Sequence, residues 1–138
     1  MIQLLDRLLN HTVNEITVNT AAHLKHPFFI DTREVEEYTI SHIENAIFVG
    51  YNDFSLQPIA HLNKSAMIIA YCSIGFRSEK VVEKLMAANY TNVHNLYGGI
   101  FEWVNQGYKV KNATGFTDNV HTFNMVWSHW LLKGVKIY

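Results

Sequence analysis

The segment SAMIIAYC, residues 65–72, constrains the fold of this chain most, because it is apolar along its whole central part. An apolar strand without polar alternation is typical of a parallel strand that helices cover on both faces. The next segment, RSEKVVEKLMAAN at 77–89, repeats apolar residues at helical spacing. This succession predicts a buried strand that leads through a short loop into a helix, as in an open α/β sheet.

Shorter strand and helix segments alternate along the rest of the first 110 residues. Strands are predicted at 15–18, 27–31, 46–49 and 92–96, and helices at 2–9, 20–24, 33–40 and 98–107. The predicted fold class is α/β, with a central parallel sheet flanked by helices on both faces. We divide the chain into a helical extension at 1–14, a domain at 15–110 and an aromatic tail at 111–138.

The tail is predicted to add a helix that packs on the domain. Its helical face would consist of Phe123, Val126, Trp127, Trp130 and Leu131. The same aromatic residues could instead cover the mouth of an active site or form a contact between two copies of the chain. The sequence therefore leaves open whether the tail forms an oligomer.

Composition excludes several classes of protein. The chain has 138 residues, a size typical of one domain, and a formal net charge of -1, which does not favour nucleic acid as a partner. No apolar run approaches the roughly 20 residues that a membrane span needs, and the N-terminus lacks the features of a signal peptide. The single cysteine excludes an internal disulfide, so we expect a reducing compartment and a cytoplasmic protein.

That cysteine, Cys72, stands where the buried strand ends and the helix is about to begin. Ligands of open parallel sheets bind at the carboxyl ends of the strands. Residues 73–76 form a tight loop in which Gly75 permits an unusual backbone conformation. Loop amides and the free N–H groups of the first helical turn would form an anion site, which favours a thiolate, and Arg77 adds positive charge. The position therefore predicts a nucleophile.

The alternative for Cys72 is a small buried core residue, which is the usual role of a free cysteine. The strand-end position, Gly75 and Arg77 favour the nucleophile, because a core cysteine needs none of them. No metal site is expected, since His23 and His26 are followed by Pro27 and have no evident third ligand.

Three further features are weighed outside the loop. Asp31 either caps a helix or binds substrate, and Arg33 either pairs with a nearby acid or binds substrate at the edge that holds Cys72. His42 is expected to anchor a turn. The pair Gly98 and Gly99 is expected to let the chain pass close to the cysteine loop.

With these residues in view, the chain resembles a known family. The pattern C-x4-R-S after an apolar strand resembles the active-site loop of single-domain rhodanese sulfurtransferases. The segments FIDTREVEEYTISHIENAIFV at 29–49 and NVHNLYGGIFEWVNQGYKV at 92–110 are similar to two more elements of that family, in the same order. The resemblance covers about residues 16–110. It departs from the family at Ser41, Glu44 and Asn45, which replace two glycines and a proline of a turn.

The resemblance implies a parallel five-stranded sheet flanked by helices and a cysteine that carries sulfane sulfur as a persulfide. Cys72 would take sulfur from a small donor such as thiosulfate and pass it to cyanide or a thiol, for which a protein thiol is one candidate in the cell, without a metal or organic cofactor. Arg77 would orient the site. The residues expected to bind substrate are Ser73, Ile74, Gly75, Phe76, Ser78 and Arg33.

Two other functions remain open from the sequence. The first is a persulfide carrier or sensing module that acts with a partner protein, which fits a loop interior without Lys or Arg. The second is a phosphatase or arsenate reductase, since the Cdc25-type phosphatases resemble rhodaneses in fold. Those phosphatases have five residues between the cysteine and the arginine. This chain has four, from Ser73 to Phe76, which predicts a smaller cradle suited to a sulfur atom.

Overall fold

The structure is a computed structural model that describes residues 2–138, and the side chains of residues 5–125 and 127–138. Helices and strands alternate through the first 105 residues. The order is α1 (Ile2–Leu8), β1 (Glu15–Thr17), α2 (Val18–Ala22), β2 (Phe28–Asp31), α3 (Val35–Ile40), β3 (Ile47–Phe48), a 3₁₀ turn (Gln57–Ile59), β4 (Ile68–Tyr71), α4 (Phe76–Ala87), β5 (Val93–Tyr97) and α5 (Gly99–Asn105). The alternation predicted from the sequence is confirmed.

The five strands β1 to β5 form one parallel sheet in the order β1-β5-β4-β2-β3. The strand predicted to be most buried, β4, lies at its centre, and all four of its residues are buried. Asp31 is in register with Tyr71, and Asn95 is in register with Ala70. Both polar side chains therefore lie on strands next to β4, which Cys72 follows directly.

Helices cover both faces of the sheet, as predicted. Successive residues of β4 point to opposite faces, because side chains alternate along a strand. Ile69 and Tyr71 join a core cluster with residues of α1, α2 and α5. Ile68 and Ala70 join a second cluster with α4. The two clusters explain why this strand must be apolar throughout.

The helix that follows β2 is capped differently from the expectation that Asp31 caps it. The N-cap is Glu34, and its backbone N–H donates to the side chain of Glu37, 2.9 Å away, in a capping box. Asp31 is fully buried and accepts instead from the backbone N–H of Arg33 at 3.0 Å. The prediction that Asp31 caps this helix is wrong, because its carboxylate accepts hydrogen bonds from Arg33 instead.

The tail differs from the predicted helix. Its elements are β6 (Val110–Asn112), β7 (Gly115–Thr117), β8 (Asn119–His121), α6 (Met125–Ser128) and β9 (Val135–Ile137), in which β6 pairs with β7 and β8 with β9. The helical part is one turn. It begins only at Met125, because Phe123 has a left-handed backbone (φ 70°) and Asn124 caps α6 by accepting from Trp127 N–H. Trp127 and Trp130 pack against the core and Leu131 is buried, while the side chain of Val126 lies outside the description.

Two kinds of feature are absent from the part of the chain that the structure describes. No helix in residues 2–138 is long and apolar enough to cross a membrane. Over the same residues, no group of three or more His, Cys, Asp or Glu side chains is placed to hold a metal ion.

Candidate active site at the cysteine loop

Cys72 follows β4 directly at the carboxyl end of the strand, and α4 begins four residues later at Phe76. The residue is only 1% exposed, and Ser73 and Ile74 beside it are also buried. Gly75 is the N-cap of α4 and has a φ of 122°, a conformation that residues with a Cβ rarely adopt. The loop therefore turns sharply over the thiol and leads it to the N-terminus of a twelve-residue helix.

Two polar groups among the described residues contact Cys72 Sγ. The backbone N–H of Gly75 donates to the sulfur over 3.1 Å, and the hydroxyl oxygen of Ser78 lies 3.5 Å from it. The sulfur thus lies against one loop amide and one hydroxyl from the first turn of α4. The other residues of the expected cradle, Ser73, Ile74 and Phe76, belong to the same loop, in which Ser73 and Ile74 are buried and Phe76 is exposed.

Asn95, which the sequence interpretation did not single out, holds these two groups in place. Its amide Nδ2 donates to the carbonyl of Gly75 at 3.0 Å, and its Oδ1 accepts from the hydroxyl of Ser78 at 2.5 Å. Asn95 is fully buried on β5. The signal available in the sequence was a polar residue within a strand that is otherwise buried, because such a residue requires hydrogen-bond partners.

The Gly-Gly pair brings α5 against the cysteine loop, as predicted. The backbone N–H groups of Ile100 and Phe101 donate to the carbonyls of Cys72 and Ser73 at 2.9 and 3.1 Å. A Cβ on Gly99 would lie 2.5 Å from both of those carbonyl oxygens. Only glycine therefore allows this approach, which directs the loop carbonyls away from the thiol.

Arg77 does not extend freely into the site. Its guanidinium donates to both carboxylate oxygens of Glu37, at 2.8 and 2.9 Å, and to Ser73 Oγ at 3.0 Å. Burial alone would lower the pKa of Arg77, but the hydrogen bonds to Glu37 outweigh it and the pKa is raised. Burial alone would raise the pKa of Glu37, yet hydrogen bonds from Arg77 hold that pKa below its usual value. The two groups therefore remain a charged pair beside the loop.

Arg33 is placed in the protein interior. Its side chain is fully buried and donates to both oxygens of Asp31, at 2.9 and 2.7 Å, and to the carbonyl of Ser41 at 2.7 Å. The hydroxyl of Tyr71 also donates to Asp31, at 2.7 Å. This geometry favours the alternative in which Arg33 pairs with a nearby acid, and the structure does not bring Arg33 together with Cys72.

The tail reaches the same edge of the sheet. The ring of Phe123 lies over the guanidinium of Arg77, with 4.6 Å between the ring centroid and Cζ. Phe123 is half exposed. Of the possibilities considered for the tail aromatics, this contact supports coverage of the site mouth. Neither Glu37 nor Phe123 could be assigned to the loop from the sequence, because each lies about 40 residues or more from Arg77.

A parallel sheet with a cysteine loop between its central strand and the next helix is the architecture expected of a rhodanese-like domain, and sequence comparison decides the family. The sequence profile of the Rhodanese-like domain matches residues 17–106. The chain therefore belongs to the rhodanese-like domain family. The match ends at residue 106, directly after α5, so the tail that carries Phe123 lies beyond it.

The names of two relatives indicate different activities. A tRNA uridine(34) hydroxylase from Photorhabdus laumondii is 36% identical over 80 residues, which are 54% of this chain and 23% of that protein. An adenylyltransferase and sulfurtransferase from Ogataea parapolymorpha is 28% identical over 91 residues, or 66% of this chain and 23% of that protein. This chain spans about a quarter of the length of these relatives.

Solved structures share the fold. A rhodanese-like domain protein from Staphylococcus aureus is 28% identical, with a TM-score of 0.57 over 72% of this chain and 97% of that chain. A thiosulfate sulfurtransferase from Pseudomonas aeruginosa is 19% identical, with a TM-score of 0.65 over 75% of this chain and 21% of that chain. At that identity, the second similarity shows the fold alone.

Proposed function

We propose that this protein is a sulfurtransferase that moves sulfane sulfur, from a donor such as thiosulfate to a thiol or cyanide, through a persulfide on Cys72. The observation that carries the proposal is the position of Cys72 Sγ, 3.1 Å from the Gly75 amide and at the N-terminus of α4. Backbone amides and a helix N-terminus stabilise negative charge on a thiolate and on the outer sulfur of a persulfide. One relative is named as a sulfurtransferase, which supports the same chemistry.

The reaction proceeds by double displacement. The Cys72 thiolate attacks the outer sulfur of thiosulfate, a new S–S bond forms, and the bond to the sulfonate sulfur breaks. Its electron pair leaves with sulfite. Cyanide or a thiolate then attacks the outer sulfur of the Cys72 persulfide and leaves as thiocyanate or a new persulfide, which regenerates the thiolate. No net oxidation occurs in either step.

Intact-mass measurement tests the proposal. Wild type and Cys72→Ser are incubated with thiosulfate or with glutathione persulfide, and each sample is then treated with cyanide. We expect wild type alone to gain the mass of one sulfur atom, and cyanide to remove it as thiocyanate. If wild type gains no sulfur from either donor, the proposal is wrong, and hydrolysis of p-nitrophenyl phosphate would then test the phosphatase alternative.

A persulfide carrier that acts with a partner protein is the second candidate, and the burial of Cys72 favours it. A thiol that is 1% exposed exchanges sulfur slowly with free small molecules unless a partner opens the loop. Turnover distinguishes the two functions. An enzyme discharges and reloads many times with cyanide, whereas a carrier loads once and discharges slowly until its partner is added.

A further inference from the structure

Phe123 occupies a strained position that the surrounding tail enforces. Its φ of 70° is uncommon for a bulky residue. The turn is held because Thr122 donates through its N–H and its hydroxyl to the carbonyl of Ile137, at 2.8 and 3.2 Å, and Phe123 N–H donates to His121 Nδ1 at 3.0 Å. Strain of this kind persists where surrounding contacts over-determine a conformation and is concentrated at functional sites. Here it directs the ring onto Arg77.

The contact with Phe123 covers a face of the Arg77 guanidinium and leaves little of that side chain exposed to solvent. The edge of the guanidinium is bonded to Glu37 and Ser73, one of its faces is covered by Phe123, and the side chain is 12% exposed. Arg33 is likewise bonded to Asp31. The loop interior, residues 73–76, contains no Lys or Arg. Both arginines that the sequence offered as ligands of an anionic donor, Arg77 and Arg33, are thus already paired with carboxylates.

Such a site disfavours a dianionic donor. Thiosulfate must bring two negative charges to a nearly buried thiol, where an anion without a compensating cation is poorly solvated. The protonated persulfide of an organic thiol brings no charge, and its apolar portion can contact the exposed parts of Phe76 and Phe123. Thiosulfate therefore needs the positive charge of Arg77 to bind, whereas the protonated persulfide does not.

On the basis of the sulfur transfer proposed above, we propose that Phe123 is a specificity-determining residue. Together with Glu37 it withholds the Arg77 guanidinium from anionic donors, and so selects persulfides of organic thiols over thiosulfate. In the selected reaction the Cys72 thiolate attacks the outer sulfur of R–S–S–H. The bond between the two donor sulfurs breaks, R–S⁻ leaves with the electron pair, and the proton remains on the transferred sulfur.

Competition between donors of different charge tests this inference. Rates of sulfur uptake by Cys72 are measured by intact mass with thiosulfate and with the hydropersulfide of N-acetylcysteine methyl ester. The variant is Phe123→Asn, because asparagine removes the ring and tolerates the left-handed backbone. The matched control is Phe116→Asn, which removes another exposed tail ring that lies over Lys109 and Lys111 instead of Arg77.

We expect wild type to take sulfur from the hydropersulfide faster than from thiosulfate. Phe123→Asn should lower that preference about fivefold, mainly by raising the thiosulfate rate, as expected when one face of a desolvated cation is uncovered. Phe116→Asn should leave the preference unchanged. Equal rates for the two donors in wild type, a result that needs no variant, would overturn the inference. If wild type takes up no sulfur from either donor, the proposed sulfur transfer, on which this inference rests, is itself wrong.

Discussion

Arg77 and Glu37 form a two-bond ion pair beside the cysteine loop, although 40 residues separate them in the chain. The same carboxylate accepts the N–H of Glu34 at the start of α3. One glutamate thus joins the cap of a helix to the first turn of the helix that carries the cysteine loop. The arginine that the sequence suggests as an anion ligand is therefore held by the protein's own carboxylate.

Loss of the Glu37 charge is expected to destabilise the fold. Glu37→Gln leaves the guanidinium of Arg77 partly buried without its counter-charge, which should lower the free energy of unfolding by about 2 kcal/mol. Urea unfolding at pH 7 measures the change. The control is Glu36→Gln, an exposed neighbour on the same helix, for which less than about 0.5 kcal/mol is expected. Equal effects of the two substitutions would contradict the importance of the pair.

The same pair predicts a dependence of stability on pH. The pKa of Glu37 is lower in the folded protein than in the unfolded chain, where it is about 4.3. The stabilisation is therefore fully present above that value and is lost as the pH falls through the lower, folded-state pKa. Urea unfolding between pH 7 and pH 3 should show a smaller loss of stability for Glu37→Gln than for wild type. Parallel curves would show that Glu37 contributes nothing to acid sensitivity.

Glycine at position 99 is expected to be required for the loop. An alanine Cβ there would lie 2.5 Å from two backbone oxygens, and the φ of 60° adds strain. Gly107→Ala is the matched control, because its φ is also positive, at 90°, but its Cβ would meet no atom within 4 Å. We expect Gly99→Ala to cost at least about 2 kcal/mol more than Gly107→Ala in urea unfolding. Similar costs would mean that the close approach is not tight.

The hydroxyl of Ser78 is expected to assist sulfur uptake. It lies 3.5 Å from Cys72 Sγ and is oriented by its hydrogen bond to Asn95, so Ser78→Ala removes one of the two polar groups that contact the sulfur. We expect uptake by the folded variant to slow about fivefold. Ser128→Ala, a buried serine of the tail, is the control. If both variants take up sulfur at the wild-type rate, the hydroxyl has no part in the reaction.

Arg33 is expected to act in folding and not in substrate binding. Its guanidinium is fully buried on Asp31 and Ser41, and lysine cannot reproduce its planar set of donors. Arg33→Lys should lower the free energy of unfolding by about 3 kcal/mol. Sulfur uptake is then compared at a temperature where both proteins are folded, and the rates should agree. A slower rate in the fully folded variant would show that Arg33 contributes to sulfur uptake as well as to folding.

The strand at 65–72, the cysteine loop, the helix after it and the Gly-Gly approach could all be predicted from the sequence. Each depends on residues close together in the chain. Apolar patterning over a few residues predicts the strand and the helix. A single glycine in a loop is enough to indicate a backbone conformation that other residues rarely adopt. The alternation of these segments was enough to predict the parallel sheet with helices on both faces.

Tertiary structure alone decided which groups surround the sulfur. Asn95 reaches Gly75 and Ser78 from a neighbouring strand, Glu37 takes the charge of Arg77, and Phe123 covers it from the tail. The helix that aromatic spacing predicted in the tail is a single turn, Met125–Ser128, and it lies between two strands, β8 and β9, that pair with each other. Contacts between residues far apart in the chain leave no periodic pattern, since they depend on register and packing and not on spacing along the chain.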